Sequence, residues 1–226
     1  MGSEMCIRDS DGTGSTLREA FDITNDNFTE LYGGTGGLFH KIEGANFTGS
    51  LLIGHTTTGT LSSAQNNTGI GIGALDALTS GDDNVAVGKA AGGAITTGGS
   101  NIAIGRNAGD ALTTGSFNIA VGAYALTVED EGSKNIAIGY AALENLNKDG
   151  DTYNVAIGHN AGKQVTSGMF NVIIGGLAGD ALTTGPRNTA VGHQALSAED
   201  EGRKNTAIGY NAVSYTHLTL PTNREV

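Results

Sequence analysis

The sequence predicts an all-β chain wound as a parallel β-solenoid, a β-roll of about ten 17-residue coils. A fixed repeat and two invariant columns predict it. The unit Asn101-Ile102-Ala103-Ile104-Gly105 has nine copies, and successive asparagines are separated by 17, 17, 17, 17, 19, 17, 17 and 17 residues. With the asparagine as column 1, column 5 is glycine in all nine copies and column 8 is alanine in all nine. Self-similarity at a constant short period is the mark of stacked architectures, in which each unit buries its apolar side against the next.

Composition agrees with this class. Glycine accounts for 37 of 226 residues and proline for 2, without the every-third-residue glycine of collagen. Aliphatic residues recur at fixed columns, unlike the low-hydrophobicity composition of a disordered chain. A net charge of −11 disfavours nucleic acid as a partner. No run approaches the roughly 18 apolar residues of a membrane span, so no membrane insertion is expected of these residues.

In chain order, residues 1–10 and 213–226 read as translated adapter. Glu4-Met5-Cys6-Ile7-Arg8-Asp9-Ser10 and Val213-Ser214-Tyr215-Thr216-His217-Leu218 are encoded by the two strands of AGATGTGTATAAGAGACAG. Such complementarity between the ends of a gene is hard to produce by selection on protein, so both segments are set aside from fold reasoning. Cys6, the only cysteine, goes with them, and no disulfide inference survives.

Residues 11–34 are expected to form a short helix for attachment or oligomerisation. Thr16 and Glu19 make a capping box, and Leu17, Phe21, Thr24, Phe28 and Leu31 are spaced as an a/d seam. Residues 35–49, opening on a run of glycines, read as a linker. The solenoid is expected over 50–212, starting with a worn first coil at Ser50-Leu51-Leu52-Ile53-Gly54. Columns 2 and 4 carry Ile, Val or Thr on one strand face, and column 3, mostly alanine, lies on the other. The larger residues are expected to face inward. The alanines would then leave a smooth outer strip that other copies could approach, giving a homotrimer. Column 12 is aliphatic in Leu78, Ile95, Leu112, Leu146, Val165 and Leu182. The acids of Glu129–Glu131 and Glu199–Glu201 read as solvated turns. A longer duplication is visible too: Ala111–Gly115 recurs at Ala181–Gly185, and Glu129–Gly132 at Glu199–Gly202, both 70 residues on.

The asparagines Asn67, Asn84, Asn101, Asn118, Asn135, Asn154, Asn171, Asn188 and Asn205 are expected to stack as a structural ladder of side-chain amides. Recognition is expected beside them, in columns 6 and 7, where Lys89, Arg106, Tyr124, Tyr140, His159, His193 and Tyr210 vary on a constant frame. His40, His55, His159 and His193 show no metal-ligand spacing, and no nucleophile–base set or paired carboxylates can be read. No catalytic residue, cofactor or metal is implied, and the chain is not expected to be an enzyme.

Two resemblances add to this. Asp11-Gly12-Thr13-Gly14, Leu17-Arg18, Ala20-Phe21, Asn25, Asn27-Phe28 and Glu30-Leu31 resemble a stretch near the start of many tailed-phage fibre and virion structural proteins. Asn188-Thr189-Ala190-Val191-Gly192-His193-Gln194-Ala195-Leu196 resembles the repeat arrays of phage tail-fibre-like proteins, and more loosely the head repeats of trimeric autotransporter adhesins, which form left-handed β-rolls. The resemblance implies a virion tail appendage that attaches to a host-surface glycan or protein, with residues 11–32 meeting other virion components. A bacterial surface adhesin head is the alternative, and a solenoid polysaccharide-degrading enzyme a further one. Binding residues do not carry over, because the shared columns are structural.

Overall fold

The computed structural model describes residues 40–44, 47–53, 63–198 and 200–213. The expected helix of residues 11–34 lies outside them.

The described chain is a parallel β-solenoid. Its strands, in order, are β1 (His40–Gly44), β2 (Phe47–Ile53), β3 (Ala64–Gln65), β4 (Thr68–Ile70), β5 (Val85–Val87), β6 (Ile102–Ile104) and β7 (Ile119–Val121). They continue as β8 (Gly132–Ser133), β9 (Ile136–Ile138), β10 (Gly150–Asp151), β11 (Val155–Ile157), β12 (Val172–Ile174), β13 (Thr189–Val191) and β14 (Thr206–Ile208). One sheet runs β1-β2-β4-β5-β6-β7-β9-β11-β12-β13-β14, with β3 against β2. The stretch read as a linker, 35–49, thus carries β1 and the start of β2.

Register follows the repeat column for column: Val85 pairs with Ile102, Ala86 with Ala103 and Val87 with Ile104, and so on to Thr206–Ile208. The 19-residue coil keeps register on the main strand, where Ile136 pairs with Val155. Its two extra residues are taken up in the turn, where β10 pairs with β8 through Gly150 and Gly132.

Backbone contact sets the spacing of coils. At Gly88 φ is +133°, and a Cβ there would stand 2.7 Å from the Gly105 carbonyl oxygen. A side chain would therefore need both a forbidden backbone conformation and a wider stack. That explains the invariance of column 5.

The strand faces are the reverse of the expectation. Ala86, Ala103, Ala120, Ala137, Ala156, Ala190 and Ala207 point inward and are buried, whereas the flanking Ile and Val residues are half-buried or exposed on the outside. Volume decides this. The coil is so narrow that Ala74, Ala91, Ala108 and their equivalents in column 8 complete the interior with the side chains of columns 9 and 12. A methyl group fits on the inner strand face. Where column 3 is larger, its neighbours shrink. Ile173 is covered by Gly162 and Gly179, and a Cβ on Gly162 would lie 2.9 Å from the Ile173 Cδ1. Close-packed interiors tolerate such exchanges when total volume is conserved.

Column 9 is a core position the repeat did not announce. Leu75, Leu126, Leu143 and Leu196 are fully buried there, at φ between +53° and +57° for three of them and +49° for Leu143. In four other coils the column is glycine, and at Gly92 and Gly109 the residue at column 12 folds over it, Ile95 and Leu112 respectively.

Glu129 corrects a second expectation. It occupies column 12, the place of Leu112 and Leu146, and its exposure is 0%. Its Oε1 accepts a hydrogen bond from the Gly132 N–H at 2.7 Å, and its Oε2 one from the Lys148 N–H at 3.3 Å. In two earlier coils the equivalent glycine N–H groups, of Gly81 and Gly98, bond the column-13 carbonyl of the next coil. The two-residue insertion remodels that turn, and the carboxylate takes over as acceptor. Buried amides seldom go unpaired.

Candidate functional site

The asparagines sit at the inner corner where each coil enters its strand, and all but Asn205 are buried. The Asn84 Oδ1 accepts from the Asn101 backbone N–H at 3.0 Å and from the Asn101 Nδ2 at 3.1 Å. The Asn101 Nδ2 also donates to the Gly115 carbonyl at 2.9 Å. The pattern repeats along the stack, with Asn118 Oδ1 accepting from Asn135 N–H and Asn154 Nδ2 bonding the Gly168 carbonyl. These side chains are committed to the scaffold and present nothing to a ligand.

Columns 6 and 7 lie just past the glycine, on the outer edge of the sheet. Their side chains stack because each coil repeats the last. The Arg106 guanidinium lies 4.8 Å from the centre of the Tyr124 ring. Tyr124 meets Tyr140 edge-on at 5.8 Å, and Tyr140 stacks on His159 at 5.2 Å with ring planes 14° apart. Gly176 interrupts the row. His193 and Tyr210 then form a second stacked pair at 5.6 Å. The structure therefore joins four of the seven expected recognition residues in one row and two in another. Lys89 lies exposed, without a ring contact among the described residues.

A second row flanks the opposite edge of the same strands, in the residue preceding each asparagine. Sequence reasoning missed it. Lys134 stands 5.0 Å from the Tyr153 ring centre, Tyr153 stacks on Phe170 at 5.7 Å and 12°, and Arg187 lies 5.7 Å from the Phe170 ring. Phe117 precedes Lys134 in the row and Lys204 follows Arg187. Every member has positive φ, from 52° at Tyr153 to 64° at Lys134, so the backbone holds the column in one uncommon conformation. The available signal was the recurrence of aromatic and basic residues immediately before the asparagine. The Lys134 Nζ hydrogen-bonds Asp151 at 2.6 Å and Tyr153 Oη at 3.0 Å, and chiefly the first bond pushes its pKa up to about 12.

Between the two rows runs the outward apolar strip of columns 2 and 4. Ile102 is 36% exposed and Ile104 38%. Among the described residues, no three His, Cys, Asp or Glu side chains come together as a metal centre, and no helix is long and apolar enough to cross a membrane. The site is a surface: an apolar band with aromatic and cationic borders, suited to recognition by contact. No family model matches the chain, and no curated protein or solved structure is significantly similar to it.

Proposed function

We propose that this chain is a structural and adhesive appendage protein, the repeat body of a phage tail fibre, which assembles as a homotrimer and attaches to a host-surface glycan or protein by non-covalent contacts. The observation that carries this reading is the outward Ile/Val strip with its aromatic borders. Ten stacked strands extend about 43 Å, and the strip with its bordering columns is roughly 17 Å wide, so the face offers about 700 Å². A stable interface takes about 800 Å² from each partner. An exposed apolar strip rimmed by polar residues marks an association surface. The resemblance of residues 11–31 and of the repeat to phage fibre proteins supports the virion setting. A bacterial surface adhesin would use the same face.

Light scattering on the purified chain tests assembly. A trimer mass is expected, falling to a monomer mass in a variant carrying Ile102→Lys and Ile136→Lys, whose positions are already outward and so leave the coil intact. A monomer mass for the unaltered chain at micromolar concentration would remove the assembly reading. Binding to host cells, reduced by Tyr140→Ala and His193→Ala, tests attachment separately.

A further inference from the structure

We propose that the row preceding the asparagines (Phe117, Lys134, Tyr153, Phe170, Arg187 and Lys204) is a binding strip for an acidic polysaccharide lying along the solenoid. The stack dictates what the row presents. Tyr153 and Phe170 cover each other's inner faces, and Lys134 and Arg187 lie over the outer ones. The rings thus turn their edges to solvent, with Tyr153 46% and Phe170 43% exposed. An aromatic edge carries partial positive charge, opposite in sign to the face. Read along the axis, the strip is ammonium, ring edge, ring edge, guanidinium, ammonium: one positive rim on a chain of net charge −11.

Part of this charge is uncommitted. Lys134 is paired with Asp151, but among the described residues neither Arg187, Arg203 nor Lys204 has a carboxylate within ion-pair distance. Arg187 and Lys204 occupy successive rungs, about 4.8 Å apart. A polymer of pyranose units running along the axis advances by close to one rung per sugar, so its carboxylates recur on the same length scale as the cations. The ring edges and the open Phe117 side chain, 60% exposed, offer contact to the sugar rings between them.

Single-stranded nucleic acid, the other linear polyanion, needs free ring faces on which bases stack. Those faces are occupied here. The strip lies across the strands from the column that follows each glycine, and the proposal holds whether or not the chain serves in host attachment.

Calorimetric titration of the intact chain with a polygalacturonate oligomer, a neutral dextran of similar length and oligo-dT tests it. Polygalacturonate is expected to bind in a salt-sensitive way and dextran to give no heat. Arg187→Gln with Lys204→Gln should weaken binding about tenfold or more, while Lys163→Gln, which removes a cation outside both rows, leaves it unchanged. Lys204→Glu, at an exposed position, gives an independent reading if the double variant misfolds, and it should weaken binding as well. No polygalacturonate binding, unchanged affinity in the folded variants, or tighter binding of oligo-dT overturns the proposal. Absence of host-cell binding by the unaltered chain, with polygalacturonate affinity intact, would count against host attachment and leave this strip standing.

Discussion

Among the described residues Glu129 is the one buried acid in the leucine column, and replacing it with glutamine isolates its titration. Burial raises the Glu129 pKa above its ordinary 4.5, outweighing the hydrogen bonds from Gly132 and Lys148 that act the other way, with a smaller push from Asp130. The folded chain therefore holds this proton to higher pH than the unfolded chain does. Its contribution is complete below pH 4.5 and is lost as pH rises through the elevated folded value, after which the curve is flat. The loss is about 1.4 kcal/mol for each unit separating the two pKa values. Glu129→Gln keeps an acceptor for the Gly132 N–H and removes the titration. Its stability should fall less steeply across that window than that of the unaltered chain and exceed it at pH 7, with the difference narrowing toward pH 4.5. Glu129→Ala, by contrast, strands both amides at about 1–3 kcal/mol each and should be less stable at every pH. Urea unfolding followed by circular dichroism from pH 4 to 8, with amide exchange read at Gly132 and Lys148, measures both. Identical pH slopes for the glutamine variant and the unaltered chain would refute the argument that this carboxylate carries the dependence.

Two further outcomes follow from the core. Asn101→Ala removes the acceptor of the Asn118 N–H and the donor to the Gly115 carbonyl, leaving two buried groups unpaired at about 1–3 kcal/mol each; faster amide exchange at Asn118 would localise the damage. Ala137→Ile should cost about 1–3 kcal/mol through overpacking against Leu126 and Leu143, whereas Ile136→Ser, on the outer face of the same strand, should leave unfolding in urea nearly unchanged when both are compared in the monomeric Ile102→Lys background.

The solenoid, its register and the structural role of the glycine column were legible because identity at those positions is nearly constant. Which strand face lies inside was not. Hydrophobicity alone sends Ile102 and Ile104 inward and Ala103 outward. The available volume does the opposite, and that volume depends on columns 8, 9 and 12 together. Leu126 and Gly109 share column 9 yet look unrelated in sequence. Glu129 was hidden inside an acidic run whose other members are ordinary turn residues. The row containing Tyr153 and Phe170 escaped notice because its constraint is a shared positive φ, which polar, aromatic and basic residues all satisfy here. The row at Tyr124 and Tyr140 could be read as a variable column, although its break at Gly176 acquires meaning only once the rings are seen to stack.

The glycine column has a consequence for how such a chain changes over generations. Since carbonyl meets backbone at Gly71, Gly88, Gly105 and their successors, the rise per turn does not depend on which side chains decorate the outside. Length becomes a ruler graduated in whole rungs. The block repeated at an interval of 70 residues would have added four graduations at one stroke, about 19 Å. Every outer column would have been carried forward in alignment, its residues free to diverge without disturbing the scale.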